Sequence, residues 1–210
     1  MVDLEIVSAI GFFIAIAVLL YVDRKNLEFD HGIILKRWKK GKEVIDLIVN
    51  AHPKLFSIIG TIGIGVGVLA GISLFLILLI STFKLEQVLA PVLPSVGVYS
   101  LPAPVVSVPF WFWLTAIFVV VTVHEPMHAI FARLEKIPVR NYGLMLFLIL
   151  PIGAFVDPDM NLVKKLKPIK KLKIFAAGSF GNFIAAALFL IIIISSNFIF
   201  ANVAEGAGLK

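Results

Sequence analysis

Two stretches of this chain run without a charged residue for longer than a bilayer is thick: Leu55–Phe83, 29 residues, and Ile174–Ala204, 31 residues. About 20 apolar residues carry a helix across the roughly 30 Å hydrocarbon core. In lipid, only helices and closed barrels satisfy their own backbone groups. Two shorter runs complete the set. Ile6–Val22 holds 17 uncharged residues, and a segment opened by Pro109-Phe110-Trp111-Phe112-Trp113 continues to Val123 without a charge. Its aromatic start is the composition of a membrane interface. The expected fold class is therefore an all-α polytopic membrane protein with about four transmembrane helices. Composition agrees, at 60% hydrophobic and 15% charged residues, where soluble domains average about 25% charged.

The segments between the runs organise the chain. Residues 1–83 read as an N-terminal pair of transmembrane helices joined by a basic loop. Asp3 and Glu5 precede the first run and Asp23, Arg24 and Lys25 follow it. A secretory signal has a basic start and a small-residue end, so this run is a retained helix. Residues 23–54 are polar and basic and read as a loop or short amphipathic segment on the membrane surface, with His31 and His52 as solvated bystanders. In the second run Gly63, Gly67 and Gly71 share one helical face, a pattern for close helix packing. Residues 84–108 contain Pro91, Pro94, Pro102 and Pro104 and predict an extended loop or re-entrant segment. Residues 109–204 form the third unit. Within it Tyr142–Val156, 15 uncharged residues with an internal proline and glycine, is too short to span and predicts a re-entrant or β-hairpin segment.

Charge orients this arrangement. Lys and Arg number 8 in residues 23–54 and 9 in 133–173, against 1 in 84–108 and 1 after residue 200. Two spans separate the two basic loops, so both lie on one side, which the positive-inside rule makes the cytoplasm. The N-terminus is then extracytoplasmic. The net charge of +6 is spent on orientation in the bilayer rather than on nucleic acid.

Chemistry concentrates where the third run ends. Val123-His124-Glu125-Pro126-Met127-His128 brings three ionisable groups into five positions after an uncharged stretch that began at Gln87. Ionisable groups at membrane depth are costly and mark function. On a helix His124 and His128 lie one turn apart on the same face, the H-E-x-x-H spacing with which two neutral imidazoles reach one Zn²⁺. Glu125, roughly 100° round the helix, can take a proton from a water at the metal. The chain has no cysteine, so histidine and carboxylate are its only strong zinc ligands. Pro126 cannot donate to the carbonyl of Thr122, which predicts a kink or local unwinding.

These residues resemble one family, the site-2 proteases, which are intramembrane zinc metalloproteases. His124–His128 matches their catalytic helix. Gly153-Ala154-Phe155-Val156-Asp157-Pro158-Asp159 resembles their membrane-associated hairpin, and Gly178-Ser179-Phe180-Gly181-Asn182 is similar to their G-x-x-x-N element. The resemblance implies His124 and His128 as zinc ligands and Glu125 as general base. It also implies a substrate edge at Gly153, Ala154, Phe155 and Val156, with transmembrane proteins as substrates. Asn182 would donate to the substrate carbonyl or developing oxyanion, or make an interhelical hydrogen bond.

One family element is missing. The third ligand is an aspartate in a later L-D-G motif, and this chain has no aspartate after Asp159. Asp157 and Asp159 are the substitutes at hand. The expectation is that the ligand-bearing helix lies beyond residue 210, and that residues 205–210 open a PDZ-like module. A catalytically incomplete pseudo-protease is the alternative within the family. A non-enzymatic membrane transporter or scaffold, using the His-Glu-His group for proton or ion movement, is the alternative outside it.

Overall fold

A computed structural model describes residues 4–39, 41–85, 87–95 and 102–206. Four helices in it are long and apolar enough to cross a membrane: α1 (Leu4–Val22), α3 (Pro53–Lys84), α4 (Phe110–Leu134) and α6 (Pro168–Gly206). Each matches one of the uncharged runs, and their apolar side chains face outward along most of their length, as lipid requires of them. A multi-pass membrane protein is the fold these helices define.

The all-α expectation is corrected. Among the described residues six strands lie between the helices: β1 (Leu27–Asp30), β2 (Ile33–Trp38), β3 (Val92–Ser95), β4 (Val106–Pro109), β5 (Val139–Phe147) and β6 (Leu150–Pro158). The hairpin expected within Tyr142–Val156 is present as β5 and β6, antiparallel, with Gly143 opposite Phe155 and Leu144 opposite Ala154. It does not stand alone. β1 and β2 form a second hairpin in the basic segment, and β2 pairs with β5 from Ile33–Phe147 to Trp38–Tyr142, giving a sheet in the order β1-β2-β5-β6. The basic segment was expected as a surface loop because its charges dominate it. Its apolar positions Ile33, Ile34 and Leu35 pair with β1 on one side and, across the fold, with β5 on the other. The rest of that segment is α2 (Lys42–Ala51), whose expected amphipathic character holds: Val49 is buried, while Lys42 and Glu43 head its first turn. In the proline-rich segment β3 and β4 pair in parallel, Val92 with Val106.

Two further expectations need adjustment. α4 continues through Pro126 without interruption. The proline removes one backbone hydrogen bond, and packing on both flanking turns holds the helix together. On α3 the packing face is Gly60, Gly63 and Gly67, not Gly71. A Cβ on Gly60 would lie 2.4 Å from the Phe131 ring, one on Gly63 2.7 Å from the Phe180 ring, and one on Gly71 in open space. Glu205 and Gly206 end α6, and the remainder of the 205–210 segment lies outside the described residues.

The most tightly packed region surrounds the C-terminal half of α4. Ala129, Phe131 and Ala132 of α4 join Ile137, Val139, Val163, Ile174 and Ala177 in one buried cluster. α4 is therefore clamped between the base of the hairpin, the short helix α5 (Met160–Val163) and the start of α6. The Arg133 guanidinium at its end forks onto Asp46 of α2, at 2.5 and 2.8 Å. A helix held this firmly presents its two remaining faces in fixed directions, one to α6 and one to the sheet.

Candidate active site

The face turned to α6 carries the two histidines. Their rings lie 4.9 Å apart, centroid to centroid. Both Nε2 atoms converge on Gly178: a Cβ built there would sit 2.4 Å from Nε2 of His124 and 2.4 Å from Nε2 of His128. A hydrogen at position 178 is what keeps the space between them clear. Behind the rings, Nδ1 of His128 lies 2.7 Å from the carbonyl oxygen of Ile174, and Nδ1 of His124 lies 3.0 Å from the Asn182 amide. The shared cradle and the paired nitrogens fit a borderline cation such as Zn²⁺, at two of the three protein ligands a catalytic zinc takes. Among the described residues no group of three or more His, Cys, Asp or Glu could hold a metal.

The two aspartates at hand as a third ligand are engaged elsewhere. Asp159 caps α5, accepting from the backbone N–H groups of Asn161 and Leu162, and takes a 2.8 Å hydrogen bond from Arg140. That guanidinium holds its carboxyl below the usual carboxylate range. Asp157 lies 3.8 Å from Nη1 of Arg37 and 3.4 Å from the Asn141 amide. His31 sits in the β1–β2 turn and His52 at the α2–α3 junction, on elements other than those holding the pair.

The face of α4 turned to the sheet carries Glu125. It lines a cavity of about 350 Å³ with Thr122 and Pro126 on one side and Tyr142, Ala154 and Val156 on the other. Phe118, Val121 and Leu144 also border a second, apolar cavity of about 320 Å³ that extends past Pro151 and Gly153 to Phe12 and Trp111. Gly153, Ala154, Phe155 and Val156 thus lie along α4 on β6, an outer strand of the sheet. One polar atom in the first cavity stands out. The Tyr142 hydroxyl is buried with no hydrogen-bond partner. Burial first, then the Asp46 carboxylate, holds its pKa above the ordinary tyrosine value, so it remains a donor.

The structure thus brings His124, His128 and Asn182 together across α4 and α6, and Glu125 together with Ala154, Phe155 and Val156 across α4 and β6. It does not bring Asn182 to the hairpin, since its amide faces His124. Sequence reasoning passed over two residues of this arrangement. Gly178 was visible only as the first letter of G-x-x-x-N, and Tyr142 was one aromatic residue in an apolar run.

Comparison with known proteins places this geometry. Residues 112–208 match the model of peptidase family M50. An uncharacterised protein of Methanocaldococcus jannaschii is 30% identical over 174 residues, covering 81% of this chain and 46% of that protein. The chain therefore spans about half the length of the curated relative it matches. No solved structure matches it. The matched segment contains most of the histidine helix, the hairpin and α6, and over these residues the chain is similar to peptidase family M50, the site-2 protease family.

Proposed function

We propose that the chain carries the proteolytic centre of an intramembrane zinc metalloprotease, acting on peptide bonds in or near the transmembrane segments of other membrane proteins. The observation that carries this reading is the convergence of two imidazole Nε2 atoms on a space that only glycine leaves open, with Glu125, the residue after His124, turned to the sheet. His124 and His128 would hold zinc, which supplies Lewis-acid polarisation and a nucleophile at neutral pH. Glu125 accepts the proton of the attacking water and returns it to the leaving amine. The outer edge of β6 pairs with a substrate segment that has unwound from its helix, as an added strand does in other peptide-binding sheets. Apolar walls at Phe118, Val121 and Leu144 keep bulk water from the cleft. In this reading the N-terminus is extracytoplasmic and the site lies toward the cytoplasmic side of a cell membrane, where the bilayer itself selects transmembrane proteins as partners.

The test is cleavage of a transmembrane substrate in vesicles, with Glu125→Gln beside the wild type. The expected result is loss of cleavage with zinc content unchanged, and loss followed by recovery when zinc is stripped and restored. Cleavage that survives Glu125→Gln overturns the assignment. A second reading, a relative that binds substrates without cutting them, is favoured by the two-histidine ligand set among the described residues. It is the outcome if zinc binds and no membrane substrate is cut.

A further inference from the structure

The two imidazoles of the candidate metal centre differ in what stands behind them. Nδ1 of His128 faces the carbonyl oxygen of Ile174 at 2.7 Å. A carbonyl only accepts, so the proton of this ring sits on Nδ1 and its Nε2 carries a lone pair. The His124 ring faces the side chain of Asn182 instead, with Nδ2 drawn 3.0 Å from Nδ1. Oδ1 of that same amide is buried without a partner.

Nitrogen and oxygen of an amide exchange places by a half-turn, and the hydrogen-bond network decides between them. With Nδ2 toward the ring, the amide donates and Nδ1 must be bare. The proton then lies on Nε2, aimed into the space beside Gly178 that Nε2 of His128 also faces, and the ring is no ligand. With Oδ1 toward the ring, the orphaned oxygen gains its donor and Nε2 presents a lone pair matching that of His128. The packing of α6 on α4 holds the amide at this distance: a Cβ on Gly181 would lie 2.6 Å from Cγ of Met127 and 3.3 Å from Cγ1 of Val123. Two glycines, at 178 and 181, let the helices close until Asn182 meets His124.

We propose that Asn182 is the positioning residue of His124, its Oδ1 accepting from Nδ1–H and thereby fixing the tautomer whose Nε2 can bind a metal. The proposal rests on the zinc reading above and assigns Asn182 to the metal centre instead of to the substrate. Partners of this kind behind metal-bound histidines are worth about 10–100-fold in metal affinity.

Two measurements test it. The first is the tautomer of His124 by nitrogen NMR on the zinc-free, histidine-labelled protein, in which only four histidines contribute. The expected state is Nδ1–H, and Nε2–H overturns the proposal. The second is zinc affinity by chelator competition for Asn182→Leu and Asn182→Asp. The leucine variant should bind zinc about 10–100-fold more weakly, while the aspartate, which keeps an acceptor toward Nδ1–H, should stay within a few-fold of wild type. Equal losses in both overturn it, since only packing would then be at stake. If wild-type protein takes up no zinc, the metalloprotease reading fails, and the tautomer of the zinc-free protein still decides the role of Asn182.

Discussion

At position 178 a hydrogen atom is all that leaves room between the two imidazoles. Gly178→Ala would set a methyl group 2.4 Å from both Nε2 atoms and 2.5 Å from Cδ2 of His124. No real contact is that short, so either the rings turn away or α6 backs off, at a typical overpacking penalty of about 1–3 kcal/mol. We expect the variant to lose its zinc in elemental analysis while remaining a folded membrane protein. Zinc retained at one per chain would show that the space beside Gly178 is not the site. The contrast with Gly65 makes the test specific, because a Cβ there meets nothing within 4 Å and Gly65→Ala should leave zinc content unchanged. These residues also show what was legible beforehand. His124, Glu125 and His128 announce themselves through spacing, since helical geometry alone puts two imidazoles on one face. Gly178 does not, because a glycine in an apolar helix reads as packing until the neighbouring helix is known. Asn182 was expected to meet either a substrate or a neighbouring helix, and the close approach of α6 to α4 sets its amide against His124.

Among the elements, the hairpin is the one whose shape the proposed chemistry depends on. Gly143 in β5 faces Phe155 in β6, and a Cβ on Gly143 would fall 2.2 Å from that ring and 2.8 Å from the carbonyl oxygen of Lys36 on β2. The backbone contact cannot give way without parting β2 from β5. Gly143→Val should therefore loosen the sheet and displace Phe155 from the cleft beside Glu125, with a lower melting temperature in detergent and faster limited proteolysis between residues 139 and 158. Unchanged melting and proteolysis would mean that the β2–β5 pairing is not what holds the hairpin. At the hairpin's foot the Arg140–Asp159 pair makes a pH statement. The folded-state pKa of Asp159 is depressed, so its contribution is complete above the unfolded value near 3.8 and is lost as pH falls through the lower folded value. Asp159→Asn should flatten that acid limb of the melting curve and leave the neutral region with only the loss of the pair. The hairpin was legible because fifteen apolar residues with a proline and a glycine cannot span a bilayer. β1 and β2 were not, because charge masks their local hairpin and the strand that anchors it, β5, lies beyond two membrane spans in the chain.

For the molecule as a whole, that same pairing ties together what charge counting had treated separately. Residues 23–54 and 133–173 are the two basic segments, and β2 from the first is hydrogen-bonded along its length to β5 from the second. Arg133 on α4 and Asp46 on α2 fasten them again. Both must lie on one side of the bilayer for the fold to exist, whichever side it is, and the proline-rich segment before α4 lies on the other. The absence of cysteine makes this measurable without background. Single cysteines replacing the exposed residues Lys25, Lys164 and Gln87 would be challenged with a membrane-impermeant maleimide on intact cells and again after lysis. Lys25→Cys and Lys164→Cys should react only after lysis, and Gln87→Cys in intact cells, because lysine- and arginine-rich loops are retained in the cytoplasm. Reversal of all three results would invert the orientation and leave the fold untouched. A split between Lys25→Cys and Lys164→Cys would be the graver outcome, since no arrangement with those residues on opposite sides can form the β2–β5 ladder, and the substrate edge proposed on β6 would lose the sheet that supports it.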